Sequence, residues 1–291
     1  MRIYDLEIED RIAELLSNYQ YVVNIRNSLS DNRSEYRDFA KSINLDFQSL
    51  QACCDTFERN LLIDIYTFAE QLFKNFYYQL VEKDRLENEY INTFINEKLK
   101  PDRFSPNVKY EEIEKNISKE LVSEFRFIIN TNREEIKSYN ELIRSRHAYA
   151  HRGRYSFENE FMDVINVERY LCNELWMIIV EGKAFRVNYQ KEIFQLVSLS
   201  KELASMAEQY KMTRNTQLKK NINEKVKNLR EFCRTFIIKY GPYITGCELV
   251  KNTFGAICDV SHCDIRVTDG IMELLIRLNK SIQEERIEGR K

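Results

Sequence analysis

Apolar residues recur at intervals of three and four along most of this chain, the spacing that places side chains on one face of an α-helix. No segment shows the sustained alternation of apolar and polar residues that indicates a β-strand. Only seven Gly and three Pro occur in 291 residues, and so few breakers favour long helices with short connections. We therefore predict an all-α helical bundle, with helices at about 6–29, 35–52, 56–82, 84–99, 109–130, 132–150, 158–181, 185–210, 218–240 and 270–288.

The segment 56–82 has the most regular of these patterns. A stripe this wide needs cover on both flanks, so we expect the segment at the centre of the bundle. Its aromatic residues are interpreted as core and not as a ligand-binding box. The apolar positions are Phe57, Leu61, Leu62, Ile65, Phe68, Ala69, Leu72, Phe73, Phe76 and Leu80, with Tyr77 and Tyr78 among the aromatics.

A few helix-breaking residues suggest how the chain is organised. Pro101 and Pro106 bracket a loop, Gly153 stands where a C′ residue closes a helix, and Gly241-Pro242 is expected to stop the helix before it. From these breaks we predict N-terminal helices over residues 1–49, a central helical domain over 50–185 and a partly basic C-terminal helical region over 186–291.

Charge is unevenly distributed, although the formal net charge is only −2. Residues 182–240 contain 13 Lys and Arg against five Asp and Glu, a local net charge of +8 that leaves −10 for the rest of the chain. Such a block is typical of a surface that binds a polyanion. A solvated helix face, or a surface that docks an acidic part of the same fold, gives the same pattern.

The cysteines and the hydropathy pattern predict where the protein works. Seven Cys occur, an odd number at irregular spacings, and we interpret them as free thiols, most of them buried. The opening MRIYDLEIEDR lacks the apolar centre of a signal peptide, and no run of 18 apolar residues is present. We expect a cytoplasmic protein that does not enter a membrane.

Residues 141–157, ELIRSRHAYAHRGRYSF, contain two of the three His in the chain. An imidazole can take the proton of an RNA 2′-hydroxyl or protonate the leaving 5′-oxygen, since it titrates near neutral pH. A guanidinium can hold the scissile phosphate while charge builds on its oxygens. Arg146 and His151, with His147 and Arg144 in support, therefore predict RNA cleavage that uses the substrate's own nucleophile and needs no metal or other cofactor.

Helical geometry constrains how these side chains can meet. At about 100° per residue, Arg146 and His151 point about 140° apart, whereas Arg144, His147 and His151 share one face. The helix end at Gly153 could turn His151 away from its ideal direction. Alternatively, a second copy of the segment completes the site across a two-fold axis, which is the arrangement that we favour.

The stretch RHAYAH, from Arg146 to His151, resembles the R-X4-6-H signature of the HEPN (higher eukaryotes and prokaryotes nucleotide-binding) superfamily. In that family a polar residue often follows the Arg and a small residue often precedes the His, and His147 and Ala150 fit both habits. The apolar helices predicted at 56–82 and 158–181 give a similar context. The resemblance covers roughly residues 50–185, so it makes that predicted domain HEPN-like.

The resemblance implies a helical bundle that forms a homodimer through its motif helices. Many members are metal-independent endoribonucleases of toxin–antitoxin or anti-phage defence systems, so RNA and an antitoxin or neighbouring defence protein are the implied partners. Arg146 would bind the phosphate, His151 would be the acid/base and His147 would orient them. Toxins with a nucleotidyltransferase antitoxin often carry Tyr two residues after the His, and this chain has Gly153 there.

Further basic residues are candidates for binding the RNA backbone, which would make binding depend on salt. They are Arg152 and Arg154 beside the motif, and Lys219, Lys220, Lys225 and Lys227 in the basic block.

Several alternatives remain open at this point. Arg146 could form an ordinary salt bridge while His151 only caps a helix, which would leave a non-catalytic helical module that binds a protein or a nucleotide. His147 and His151 are one turn apart, as two metal ligands can be, and Cys258, His262 and Cys263 with Cys247 could hold zinc. No P-loop, dinucleotide-binding or serine-hydrolase motif occurs.

Overall fold

The computed structural model describes residues 5–83, 88–99, 104–128 and 133–244, together with Glu273. This part of the chain is all-α: it contains helices and no strand, as the apolar spacing predicts. The helices are α1 (Asp5–Asp31), α2 (Arg33–Ser42), α3 (Phe47–Lys83), α4 (Glu89–Lys98), α5 (Tyr110–Glu120), α6 (Glu134–Arg152), α7 (Phe161–Glu181), α8 (Lys183–Thr213) and α9 (Thr216–Ile244).

The chain forms two compact units. The first comprises Met1–Tyr110 and Lys137–Glu168, and the second comprises Glu111–Ile136 and Arg169–Lys291. The N-terminal helices therefore share a unit with most of α6. The division into 1–49, 50–185 and 186–291 stays a prediction, because compactness describes packing and not independent folding.

In the first unit, α1 packs along α3, and α2 covers the beginning of α3. The apolar stripe of α3 is buried from Leu61 to Phe76, which confirms most of its predicted core. Phe57 and Tyr78 are exceptions, since their side chains are 58% and 39% exposed. Phe57 lines, together with Ile25, Phe39 and Cys53, an apolar groove of about 400 Å³.

In the second unit, α8 and α9 form an antiparallel pair of helices. The ammonium of Lys225 contacts the Glu202 carboxylate at 2.8 Å, and farther along the pair Lys239 contacts Glu192 at 2.6 Å. The buried face of α9 is apolar throughout, and an aromatic cluster fixes the register of the two helices. The cluster consists of Tyr189, Phe236 and Tyr240, whose ring centres lie 4.8 to 5.8 Å apart.

The segment after α5 does not continue the helix, and hydrogen bonds from residues distant in the sequence hold its backbone. The fully buried guanidinium of Arg186 donates hydrogen bonds to the Glu174 carboxylate and to the carbonyl of Arg126. The side chain of Gln190 accepts from the Arg126 N–H at 2.7 Å and donates to the carbonyl of Glu124 at 3.0 Å. The helix predicted over 109–130 is therefore wrong over residues 121–128.

The helix predicted over 35–52 is also wrong, because the chain turns between α2 and α3. Asn44 adopts φ +58, in the left-handed region, and the chain re-enters a helix at Phe47. Asp46 stabilises this start, since its carboxylate accepts the N–H of Ser49 at 2.7 Å.

Gly241-Pro242 does not stop α9, which continues to Ile244. Proline removes one N–H, which would bond the carbonyl four residues earlier, that of Ile238. The Ile238 side chain is 82% exposed, so water reaches this side of the last turns. Tyr243 and Ile244 are buried, and their packing favours continuation of the helix.

Some predictions fall outside the described residues. They are the mixed segment after Ile244, the helix over 270–288 apart from Glu273, and the candidate zinc ligands Cys247, Cys258, His262 and Cys263. Among the described cysteines, Cys54, Cys172 and Cys233 are buried and Cys53 is exposed. None of the helices in the described part combines the length and the apolar character needed to cross a membrane.

Candidate active site

Helix α6 carries the motif in its last two turns. The face of this helix that contains Tyr139, Leu142 and Ile143 is buried in the first unit. The motif therefore lies where the helix emerges from its packed environment. Gly153 ends the helix with φ +64, and its N–H donates to the carbonyl of Tyr149 at 2.9 Å, which confirms the predicted C′ position.

The guanidinium of Arg146 lies over the aromatic ring of Tyr66, with its Cζ 4.2 Å from the ring centre. Tyr66 comes from α3 and is only 6% exposed, whereas Arg146 is half-buried. Within the described part of the chain, Arg146 forms no hydrogen bond and no ion pair with a carboxylate. The ring thus holds the cation without neutralising it, which leaves the N–H groups able to bind an anion.

The imidazoles of His147 and His151 lie side by side at the surface. Their ring planes differ by 4° and their centres are 6.4 Å apart, and both residues are exposed. The ring of His147 also meets that of Tyr66 edge to face, at 5.9 Å between centres. Tyr66 therefore contacts Arg146 and His147 together, and His147 in turn stands beside His151.

Burial and neighbouring cations shift the acid–base balance of this group. Burial, followed by the positive charges of Arg146, His151 and Lys109, lowers the pKa of His147. Burial raises the pKa of Tyr66, Arg146 opposes that shift, and Glu70 adds to it. At neutral pH the phenol of Tyr66 is therefore uncharged, and His147 is held in its neutral form.

The predicted supporting arginines lie around the end of α6. Arg144 is exposed, and its guanidinium forms a 2.8 Å ion pair with Glu141 one turn earlier. Arg152 and Arg154 are exposed and have no ion-pair partner in the ranges that the structure describes. Of these three arginines, Arg144 is the one that is compensated by a carboxylate among the described residues.

The predicted lysines belong to α9 in the second unit. Lys225 forms an ion pair with Glu202 of α8, so part of its charge stabilises the helix pair. Lys219, Lys220 and Lys227 have no ion-pair partner among the described residues. The basic block therefore contains both an internal docking contact and charges left for solvent or an anion.

Three residues in or near the candidate site, Tyr66, Arg59 and Tyr155, were not predicted from the sequence. Tyr66 contacts the motif directly, although it lies eighty positions before Arg146. Arg59, two turns earlier on α3, lies over the ring of Tyr155 with its Cζ 6.0 Å from the centre. A signal was present, because Arg59 and Tyr66 interrupt an otherwise apolar stripe at a spacing of seven.

No three His, Cys, Asp or Glu side chains of the described ranges come together as ligands for one metal ion. His147 and His151 have parallel rings, and the other charged groups that act on His147 are the cations Arg146 and Lys109. Cations beside the imidazoles would repel a metal ion and favour an anion.

Comparison of the chain with protein-family models, with curated proteins and with solved structures finds no match. Membership of the HEPN superfamily therefore stays a prediction that rests on the motif and its helical setting.

Proposed function

We propose that this protein is a metal-independent endoribonuclease that cleaves RNA by transesterification through the 2′-hydroxyl. The observation that carries this proposal is Arg146: a half-buried guanidinium held on an aromatic ring, without a carboxylate partner in the described residues, next to two exposed imidazoles. An arginine that only stabilised the fold would be expected to face an acidic group or a carbonyl.

The reaction uses only groups of the protein and of the RNA. The 2′-oxygen attacks the adjacent phosphorus while its proton passes to a neutral imidazole, for which His147 is suited by its lowered pKa. The bond from phosphorus to the 5′-oxygen breaks, and His151 in its protonated form supplies the proton to that oxygen. The products are a 2′,3′-cyclic phosphate and a 5′-hydroxyl end.

Arg146 acts on the phosphate itself. Its planar N–H groups can bind two non-bridging oxygens, and this contact strengthens as negative charge grows in the transition state. Tyr66 holds the guanidinium in place and keeps it shielded from water on one side. A shielded charge interacts more strongly with a phosphate than a fully hydrated one does.

The biological setting that we propose follows the motif resemblance: a cytoplasmic toxin or anti-phage defence protein. Its partners would be an RNA substrate, a second copy of the chain and an antitoxin or neighbouring defence protein. Arg152 and Arg154, and the unpaired lysines of α9, would add backbone contacts that weaken as salt rises.

Activity is tested with purified protein and a structured RNA, with and without EDTA. We expect cleavage in both conditions, cyclic phosphate ends, and a loss of at least about a hundredfold for Arg146→Ala or His151→Ala. Arg37→Ala is the matched control, because it removes an exposed arginine on α2 that lies in the same unit but outside the motif. RNA left intact by the wild type would contradict the proposal and favour the non-catalytic binding module.

The two-fold arrangement is tested by mixing inactive variants. Heterodimers of Arg146→Ala and His151→Ala chains contain one complete site if the two residues act across the interface. Recovery of a fraction of wild-type activity supports a shared site. No recovery, in heterodimers shown to form by mass spectrometry, places both residues of a site in one chain.

A further inference from the structure

Helix α3 carries an arginine of its own, Arg59, on the same face as Tyr66. Arg59 and Tyr66 are seven residues apart, which on an α-helix is nearly two full turns. Their side chains therefore point in nearly the same direction, separated by about 10 Å along the axis. The chain after α6 runs in the opposite sense, so Tyr66 meets Arg146 and His147, and Arg59 meets Tyr155.

Arg59 repeats the environment of Arg146. It is half-buried, it lies over a tyrosine ring, and it forms no hydrogen bond or ion pair with any described residue. Its Nε–H is shielded from solvent and has no acceptor in the same part of the chain. Burial of an arginine without an acceptor is costly, so its persistence here suggests a ligand that supplies one.

The neighbouring charges do not compensate Arg59. Next to Arg59 in the sequence, Glu58 is paired with Arg26, and Asp55, one turn earlier on α3, forms no ion pair with Arg59. Burial raises the pKa of Tyr155, so this phenol is uncharged at neutral pH and offers Arg59 a ring but no anion. An uncompensated guanidinium therefore remains at this position.

We propose that Arg59, positioned by Tyr155, binds the phosphate that neighbours the scissile one in the RNA strand. The inference rests on the proposed function for the identity of the ligand. The strand would lie along the end of α6, with one phosphate on Arg146 and the next on Arg59, since Arg146 lies on Tyr66, about 10 Å along α3 from Arg59. The preferred substrate is therefore an oligoribonucleotide with at least two phosphates.

Binding is measured first, with the full-length protein and a fluorescent oligonucleotide in which 2′-deoxy positions prevent cleavage. Arg59→Gln should weaken binding about tenfold and lower the slope of log affinity against log salt by about 0.7, the value for one phosphate contact on a single strand. Arg37→Gln is the matched control, because it removes the same charge from an exposed position on α2 in the same unit.

Cleavage then tests the position of the subsite. Three substrates are compared: a dinucleotide with one phosphate, and two trinucleotides with a second phosphate on the 5′ or 3′ side and one ribose at the cleavage position. The wild type should cleave one trinucleotide with a KM about tenfold below that of the dinucleotide, and Arg59→Gln should abolish this difference without changing dinucleotide cleavage.

The outcomes separate this inference from the nuclease proposal. If RNA is cleaved and Arg59→Gln behaves like Arg37→Gln on every substrate, the phosphate site is overturned while the nuclease stands. If no RNA is cleaved but Arg59→Gln alone weakens binding and lowers the salt slope, the nuclease fails and the phosphate site stands. Tyr155→Phe should retain binding and Tyr155→Leu should reduce it, with thermal unfolding followed for all variants.

Discussion

The imidazole of His147 stands parallel to that of His151, with 4° between the ring planes and 6.4 Å between their centres. Two cationic rings so close would repel each other, so protonation of both is disfavoured, and burial with the neighbouring cations lowers the pKa of His147. A neutral imidazole is what a general base requires at the start of a transesterification.

The protonation of His147 gives a prediction that does not depend on activity. Burial lowers the pKa of His147 most, and Arg146, His151 and Lys109 lower it further, so Arg146→Gln or Lys109→Gln should raise that pKa toward the usual value. The measurement is an NMR titration of the imidazole protons. In the wild type, His147 should remain neutral to a lower pH than an ordinary histidine. An unchanged titration in both variants would show that these cations do not act on the ring.

The pH profile of cleavage follows from the same shift. If neutral His147 takes the 2′-hydroxyl proton, the acidic limb of kcat/KM should lie below the usual histidine range of about 6.5. Lys109→Gln leaves the motif intact and should move this limb to higher pH. A limb that stays in place in Lys109→Gln would assign the base to another group.

Tyr66 is expected to position Arg146 through its ring. Tyr66→Phe keeps the ring and should retain most activity, whereas Tyr66→Leu should lower kcat/KM about tenfold, because a shielded cation–π contact is worth about 1–2 kcal/mol. The kinetic comparison of the two variants checks this. Equal losses of activity in both variants would point to the hydroxyl group instead. Leu62→Ala, which alters a similarly buried residue of α3, is the control for any loss of thermal stability in Tyr66→Leu.

Removing one partner of the buried ion pair of Arg186 and Glu174 should strongly destabilise the second unit. Arg186→Met leaves a buried carboxylate uncompensated and should reduce the free energy of unfolding by about 3–5 kcal/mol. The double variant Arg186→Met/Glu174→Met should lose less than Arg186→Met alone. Urea unfolding of the single and double variants measures the difference, and strictly additive losses would contradict the pairing.

Glu168 should make stability depend on pH. Its carboxyl is fully buried, neither oxygen has a hydrogen-bond partner among the described residues, and burial raises its pKa well above the usual value. Since the unfolded chain loses this proton first, stability falls as pH rises from about 4.3 toward the folded pKa. Glu168→Met should remove this fall and be more stable at pH 8 by at least about 1 kcal/mol.

Urea titrations at several pH values measure the Glu168 effect. The gain of Glu168→Met over the wild type should shrink as the pH approaches 4. The exposed Glu158 provides the control, since Glu158→Met should leave the pH dependence of stability unchanged. A gain that is the same at every pH would mean that packing, and not ionisation, separates the variants.

The helices could be predicted from the sequence wherever their own apolar faces decide the structure. α1 and α7 have the predicted periodicity and nearly the predicted bounds. The prediction failed where distant residues compete with helix formation, as Arg186 and Gln190 do when they bind the backbone after Glu120. It failed again at Asn44, because a left-handed residue other than glycine leaves little trace in the sequence.

The candidate site was predictable only as far as it is local in the chain. Arg146, His147 and His151 lie within six residues, and their chemistry is visible as a motif. Their positioning by Tyr66 was not, because an isolated tyrosine in an apolar stripe fits a core residue equally well. Ideal helical angles point Arg146 and His151 in different directions. The Tyr66 ring of α3 contacts both Arg146 and His147, and so joins the arginine to the pair of histidines.

The unpaired guanidinium of Arg146 should also make the activity and stability of this protein depend on the anions in the buffer. Inorganic phosphate and sulfate present the same tetrahedral oxygens as a phosphodiester, so both ions should occupy the position that the substrate needs. Buffers containing them would act as competitive inhibitors and would stabilise the empty protein against heat, since an ion that binds only the folded state raises its melting temperature. The phosphate or sulfate concentration of the buffer therefore sets how much of Arg146 is occupied by an anion.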